Sequence, residues 1–435
     1  MNDSLSPLEE PTGFLARITG PFVNIARTLN DRVYGPYALG NFLSLNGIWV
    51  QRLGILWLTW ELTESPAWLG AVAFADLFPL ALFAPLAGAA ADRWNILNLV
   101  RISNWLTVVQ SLVLLFLFVT GLINIAWIIV LTTVLAILSA LNQPARLAIV
   151  PTLVTHERLP TAIAISSLSY NGAQFIGAGL FAFLIPVLGV ASTFVFQIAA
   201  FTMFGIILIW TRPRANIAQR KKSEGGLFAD FREGLIYCWN HVGIKPLMLL
   251  LVTIAVGTRA IADLFAAFAD HVFNSGAEGF GYLTASVGIG AMLGILMIAR
   301  RTGTKGLVST VLKFAPGTCV AALIFVSTDI LWVGILGALL LGFSFMPVAV
   351  GAQTLMQSGG DPSMRGRIMA LYVCFWRSMP AIGALAMGYA SEFVGLRLPP
   401  LVGIALVSAV VAWLWVRRKT IADALEGSPR DSQAS

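Results

Sequence analysis

Apolar residues run along this chain in continuous blocks, without the alternation that marks strands buried on one face. The blocks lie near residues 38–60, 67–90, 97–120, 123–142, 160–188, 190–211, 246–270, 279–299, 307–328, 330–354, 368–393 and 397–417. About 20 apolar residues carry a helix across a bilayer core, since a helix rises ~1.5 Å per residue and the core is ~30 Å thick. The pattern predicts an all-α membrane protein with twelve transmembrane helices. The long polar stretch at 212–245 divides the blocks evenly, so two six-helix bundles are expected, 38–211 and 246–417, with a basic linker between them and a tail at 418–435. Ahead of the first block, Phe14, Leu15, Ile18, Phe22, Ile25 and Leu29 recur at helical spacing among Arg17, Arg27 and Arg32. That spacing predicts an amphipathic helix on the membrane surface within an N-terminal segment, 1–37. Phe228 to Tyr237, inside the linker, is a second candidate for an interfacial helix.

The charges between blocks orient the chain. Arg93, Arg101, Arg146, Arg158, Arg300, Arg301, Lys305, Arg365 and Arg367 sit at even-numbered turns, as do the linker's basic residues. Odd-numbered turns hold Glu61, Glu64, Asp270, Glu278 and Asp329, with Arg397 as their main cation. By the positive-inside rule both termini are expected in the cytoplasm, and the protein in the cytoplasmic (inner) membrane.

Composition narrows the class without changing this picture. Apolar residues make up 57% and charged residues 11%, where a soluble domain is roughly a quarter charged. Mean hydropathy is +0.82. The net charge of +7 is dispersed among turns, which argues for topology signals and against a nucleic-acid surface. Cys238, Cys319 and Cys374 lack metal-like spacing, as do His156, His241 and His271, so no metal and no cofactor are expected.

Charged side chains inside the blocks demand an explanation, because one at the bilayer centre costs roughly 2.5–3.5 kcal/mol on insertion scales. Arg52 lies at a depth of ~12 Å in the first span and Asp76 at ~13 Å in the second, counting helical rise from the shared turn. These spans run antiparallel, so the two side chains meet at one depth. Arg259 and Asp263 are spaced i, i+4 in the seventh span and share a face. Arg377 lies about two and a half turns into the eleventh span. Two readings fit these charges. In one, Asp76 or Asp263 takes a proton while the arginines hold a polar or anionic substrate group. In the other, they form two structural ion pairs. Trp49, Gln51, Asn171 and Gln174 are further cavity candidates, with Tyr170, Tyr372 and Trp376 beside them.

Several strings carry a family resemblance. After the second block comes Gly88-Ala-Ala-Ala-Asp92-Arg93, a Gly-x-x-x-Asp-Arg turn. The first span holds Asn46-Gly-Ile-Trp49-Val-Gln51-Arg52, the fourth turn Gln143-Pro-Ala-Arg146, and the tenth span ends in Gln353-Thr-Leu-Met-Gln357 before Arg365-Gly-Arg367-Ile-Met369. With twelve spans and a basic central linker, these resemble the major facilitator superfamily, and within it the branch of enterobactin-exporter-like and multidrug efflux transporters. The turn after the eighth span keeps Arg300-Arg301 but has no carboxylate, and Ala178 stands where related antiporters often have proline. The resemblance implies an inner gate at Gly88, Asp92, Arg93, Arg146, Arg365 and Arg367, with Asp92 latching onto the start of the eleventh span beside Arg367. The alternative is that Asp92 pairs locally and sets topology.

The expected function is therefore secondary active export of small amphipathic or siderophore-like molecules by proton antiport and alternating access, through a single chain among membrane lipids. The absence of a Walker A loop in the sequence points to a gradient as the energy source. Proton-coupled uptake of a small metabolite or lipid is the alternative. An integral-membrane enzyme fits less well, because the three histidines stand apart from one another.

Overall fold

The computed structural model describes residues 24–93, 95–212, 227–301 and 303–426. Among them every element is helical: α1 Tyr34–Thr63, α2 Pro66–Arg93, α3 Ile96–Val119, α4 Ile125–Leu153, α5 Leu159–Leu188, α6 Ala191–Trp210, α7 Leu227–Asn240, α8 Ile244–Gly257, α9 Gly276–Ala299, α10 Leu307–Ser327, α11 Leu331–Gly359, α12 Arg365–Val394, α13 Leu398–Val416 and α14 Arg418–Glu426. Among the described residues ten stretches are long and apolar enough to cross a membrane, the run from Ile244 to Val272 counting as one. Beside them stand α1, diluted by Asn41, Asn46, Gln51 and Arg52, and α2, whose apolar part spans Pro66–Leu80. Of the stretch expected as a surface helix before the first block, residues 24–29 are helical and the remainder lies outside the described residues. The linker candidate is a helix, α7.

Local signals set the helix ends. Asn95 Oδ1 accepts the amides of Leu97 and Asn98 at 3.0 and 3.3 Å, and Asn124 caps α4 through the amide of Trp127 at 3.0 Å. Gly189 and Gly395 close α5 and α12 at φ of 70° and 81°, in the left-handed region that favours glycine. Pro316, Pro347 and Pro380 sit within α10, α11 and α12 without ending them.

Helices α1 to α6 pack on one another, as do α8 to α13, and the two halves meet along α2 against α12 and α5 against α9. Glycine makes the meeting close: a Cβ at Gly70 would stand 2.4 Å from the Ala384 carbonyl oxygen, and one at Gly281 only 2.4 Å from Ala182 Cβ.

The expected seventh span, 246–270, is not one α-helix. After α8 the chain runs through a 3₁₀ turn at Arg259–Leu264, a short piece at Phe265–Ala267 and a π turn at Phe268–Val272. Irregular backbone at membrane depth survives where protein covers it, and Ala260, Ile261, Asp263 and Leu264 are all buried.

Candidate functional site

One end of the molecule, the Glu64 face, carries the turns at Glu64, Thr120, Gly189, Asn274 and Gly395; the opposite end, the Arg158 face, carries Arg158, α7 and Met364. The halves are joined at the Glu64 face. Trp60 Nε1 donates to Asp270 Oδ2 at 3.0 Å, Ser65 donates to Glu392, and the Phe280 ring packs on Trp57 and Phe181 at centroid distances of 6.3 and 5.4 Å.

Below that closure lies an ionic cluster. Arg52 Nε stands 2.8 Å from Asp76 Oδ2, and its Nη2 stands 3.0 Å from Asp263 Oδ1. One guanidinium therefore joins α1 and α2 to the 3₁₀ turn of the other half. Counted from the turn at Glu64, Arg52 and Asp76 both lie ~15–17 Å along their helices, about half of a ~30 Å core. The three side chains keep 19%, 22% and 11% of their surface exposed, so the cluster borders a cavity and is not sealed in packing. The plane of Trp49 lies under Arg52, 5.3 Å from ring centre to guanidinium.

The expected Arg259–Asp263 face is absent because the backbone there is 3₁₀. At three residues per turn, positions four apart point ~120° away from each other. Asp263 turns to Arg52, whereas Arg259 donates to the Trp376 carbonyl at 3.2 Å and stacks 5.2 Å from its ring centre. Arg377 reaches across from α12 to the first half, donating to Tyr170 Oη at 2.9 Å and to Gln143 Oε1.

Two cavities meet these groups. One of about 70 Å³ is walled by Trp49, Arg52, Gln174, Arg259, Asp263 and Thr284. Toward the Arg158 face lies another, of about 240 Å³, walled by Tyr37, Asn41, Gln143, Arg146, Tyr170 and Arg377. Four arginines, Arg52, Arg146, Arg259 and Arg377, against the single carboxylate of Asp263 give the combined walls a formal charge of +3. Such walls suit a ligand bearing an anionic group beside apolar surface.

Several expected residues sit elsewhere. Gln51 is fully buried between α1 and α3, its Nε2 donating to Gln110 Oε1 at 3.3 Å, so it packs the first half and lines no central cavity. Arg146, expected at the inner gate, points into the first half. Its Nη1 donates to Asn41 Oδ1 at 3.1 Å and Ser44 Oγ at 2.7 Å, its Nε donates to Asn142, and Phe204 lies 4.6 Å away. Arg365 is exposed. Arg367 pairs with Glu233 of α7 at 2.9 Å, a partner the sequence reading missed for want of any local signal. The side chains of Gly88, Asp92, Arg93 and Asn171 lie outside the described residues, and so does the Asp92–Arg367 latch. Gln143 and Thr284 were not expected at the site, although Gln143 stands in the Gln143-Pro-Ala-Arg146 string.

Comparison with known proteins agrees with this architecture. Residues 28–433 match the family model described as transmembrane secretion effector. The chain is 22% identical over 385 residues to the staphyloferrin A transporter of Staphylococcus aureus (strain NCTC 8325 / PS 47), covering 87% of this chain and 95% of that protein. It superposes on a bacterial homologue of the human lysosomal transporter Spinster with a TM-score of 0.66 at 17% identity, over 93% of this chain and 99% of the other. An inward-facing bacterial homologue of the iron transporter ferroportin gives 0.66 at 16% identity, over 88% and 98%.

Proposed function

Because the chain belongs to the transmembrane secretion effector family, a branch of the major facilitator superfamily of membrane transporters, we propose that it exports small amphipathic or siderophore-like molecules by proton antiport. Transporters of this kind are not enzymes, and nothing in the proposal requires a cofactor. The observation that carries it is Arg52 held between Asp76 of one half and Asp263 of the other at the midplane.

In this reading twelve helices span the cytoplasmic membrane as two six-helix bundles, 38–211 and 246–417, and the Arg158 face is cytoplasmic. The concentration of arginine and lysine at that face supports the orientation. A proton on either carboxylate releases its side of the bridge. An anionic substrate group bound by Arg259 and Arg377 from the cytoplasmic side competes with Asp263 for the guanidiniums, so the Glu64 face can part as the bundles rock about the site. There Asp76 or Asp263 takes a proton from the outer side as the substrate leaves, and the proton rides inward on the return stroke. Its loss to the cytoplasmic side restores the bridge. The name of the Staphylococcus aureus relative supports a siderophore as cargo. A single chain suffices for this cycle.

One pH unit stores ~1.4 kcal/mol per proton, enough for about tenfold accumulation of a neutral substrate. The test uses purified protein in liposomes, with staphyloferrin A and a fluorescent amphipathic cation as probes. An imposed pH gradient is expected to drive at least one probe against its concentration, opposite to the proton flow. Asp76→Asn and Asp263→Asn together are expected to abolish that drive while leaving probe exchange. Drive undiminished in the double variant refutes the coupling site, and probe moving with the proton makes the protein an importer.

A further inference from the structure

Asp76 faces two ways. Besides receiving Arg52, it walls a separate cavity of about 30 Å³ inside the first half, which Thr132 and Ser139 of α4 also line. A cavity of about 20 Å³ follows along α4, bordered by Ser139, Thr107, Asn142, Gln143 and Arg146. These two share Ile48 and Ser139, and the second shares Leu45, Gln143 and Arg146 with the 240 Å³ cavity toward the Arg158 face. A water molecule needs about 10–15 Å³ for its centre and two or more polar partners. Both compartments pass on volume and on partners.

A second observation points to water in the first of them. Thr132 is 3% exposed, yet its Oγ1 has no hydrogen-bond partner. Buried hydroxyls are nearly always paired, and the residue that carries this one lines the cavity it shares with Asp76.

We infer that Asp76 exchanges its proton with the Arg158 side through these water-filled compartments inside the first half, and not through the substrate cavity between the halves. The inference rests on the reading of Asp76 as a proton-carrying group. It separates two routes that an antiporter must keep apart in time. Substrate occupies the wall formed by Trp49, Gln174 and Arg259, whereas the proton travels behind α1 along α4. The charged groups facing Asp76 are Arg52 of α1 and, beyond it, Asp263 and Arg259 of the 3₁₀ turn. From α4 it meets only neutral hydroxyls, and Arg377 of α12 is turned to Tyr170 and Gln143.

The experiment needs no substrate, since the probe is deuterium oxide. Infrared difference spectra of the purified full chain in nanodiscs, taken across a pH step, are expected to contain a carboxyl band that Asp76→Asn removes. The isotope shift of that band after mixing with deuterium oxide times the proton's access. Ser139→Leu fills the junction of the two compartments and is expected to slow the shift about tenfold, since it leaves no room for water. Thr132→Val, close in shape to the native side chain, is expected to slow it less, and it carries the test if the leucine variant fails to fold. Wild-type rates in both variants overturn the path while leaving Asp76 as the proton carrier. A band that survives Asp76→Asn overturns the path together with the reading it rests on.

Discussion

His241 does for α8 what asparagine does for α3 and α4. Its Nδ1 accepts the amides of Gly243 and Ile244 at 3.1 and 3.2 Å, holding the first backbone donors at the head of the helix where it leaves the linker. Only the neutral imidazole can accept, and partial burial holds its pKa below the ordinary value of 6.5. The sign follows from linkage. As pH falls through 6.5 the unfolded chain takes up a proton that the folded junction resists, so this contribution is present above 6.5 and lost on acidification. Amide exchange at Gly243 and Ile244, corrected for intrinsic rate, is expected to accelerate below that pH. His241→Asn, which keeps an acceptor but does not titrate, is expected to remove the pH dependence, and an unchanged profile in that variant would sink the assignment. At this scale the sequence was a partial guide. Arg52 and Asp76 could be paired from it, because helical rise alone equates their depths. The partners of Arg146 and Gln51 could not, because facing inward or toward the other half is a rotation about the helix axis that apolar blocks do not encode.

Helix pairs carry the next level of specificity. The halves touch along α2–α12 and α5–α9, where backbones approach too closely for side chains. A Cβ at Gly70 would meet the Ala384 carbonyl oxygen at 2.4 Å, and neither backbone can retreat without moving its whole helix. Overpacking of this kind costs about 1–3 kcal/mol, or a ~5- to 150-fold change in a two-state ratio. Gly70→Ala and Gly281→Ala are therefore expected to shift the population toward an open Glu64 face. Gly366→Ala, with nothing within 4 Å, is the control and is expected to leave it unchanged. Spin-label distances between the halves at that face would report the shift, and equal distances in all three variants would show that these glycines do not set the closure. Helix boundaries were mostly legible within a few residues, since hydropathy and the caps at Asn95 and Asn124 define them. The broken seventh span was not: its residues are as apolar as their neighbours, and tertiary burial, not local propensity, permits the 3₁₀ and π turns around Arg259 and Phe268.

For the whole molecule, the distribution of contacts describes one state of a cycle. The Glu64 face is sealed by Trp60 on Asp270, by Ser65 on Glu392 and by the Phe280 rings, whereas the largest cavity walled by site residues lies toward the Arg158 face. If the bundles rock, this seal must break in every turnover. Ser65→Cys with Glu392→Cys places two thiols where the native side chains already touch, in a background with Cys238, Cys319 and Cys374 replaced. Oxidation is expected to lock the face shut, abolish transport and restore it on reduction. In the locked protein a cysteine at Ser166, on the wall of the larger cavity, is expected to react with a membrane-impermeant thiol reagent from the cytoplasmic side alone. Full transport through the crosslinked protein would rule out rocking about Arg52, and labelling of Ser166→Cys from outside would invert the topology inferred from the basic turns.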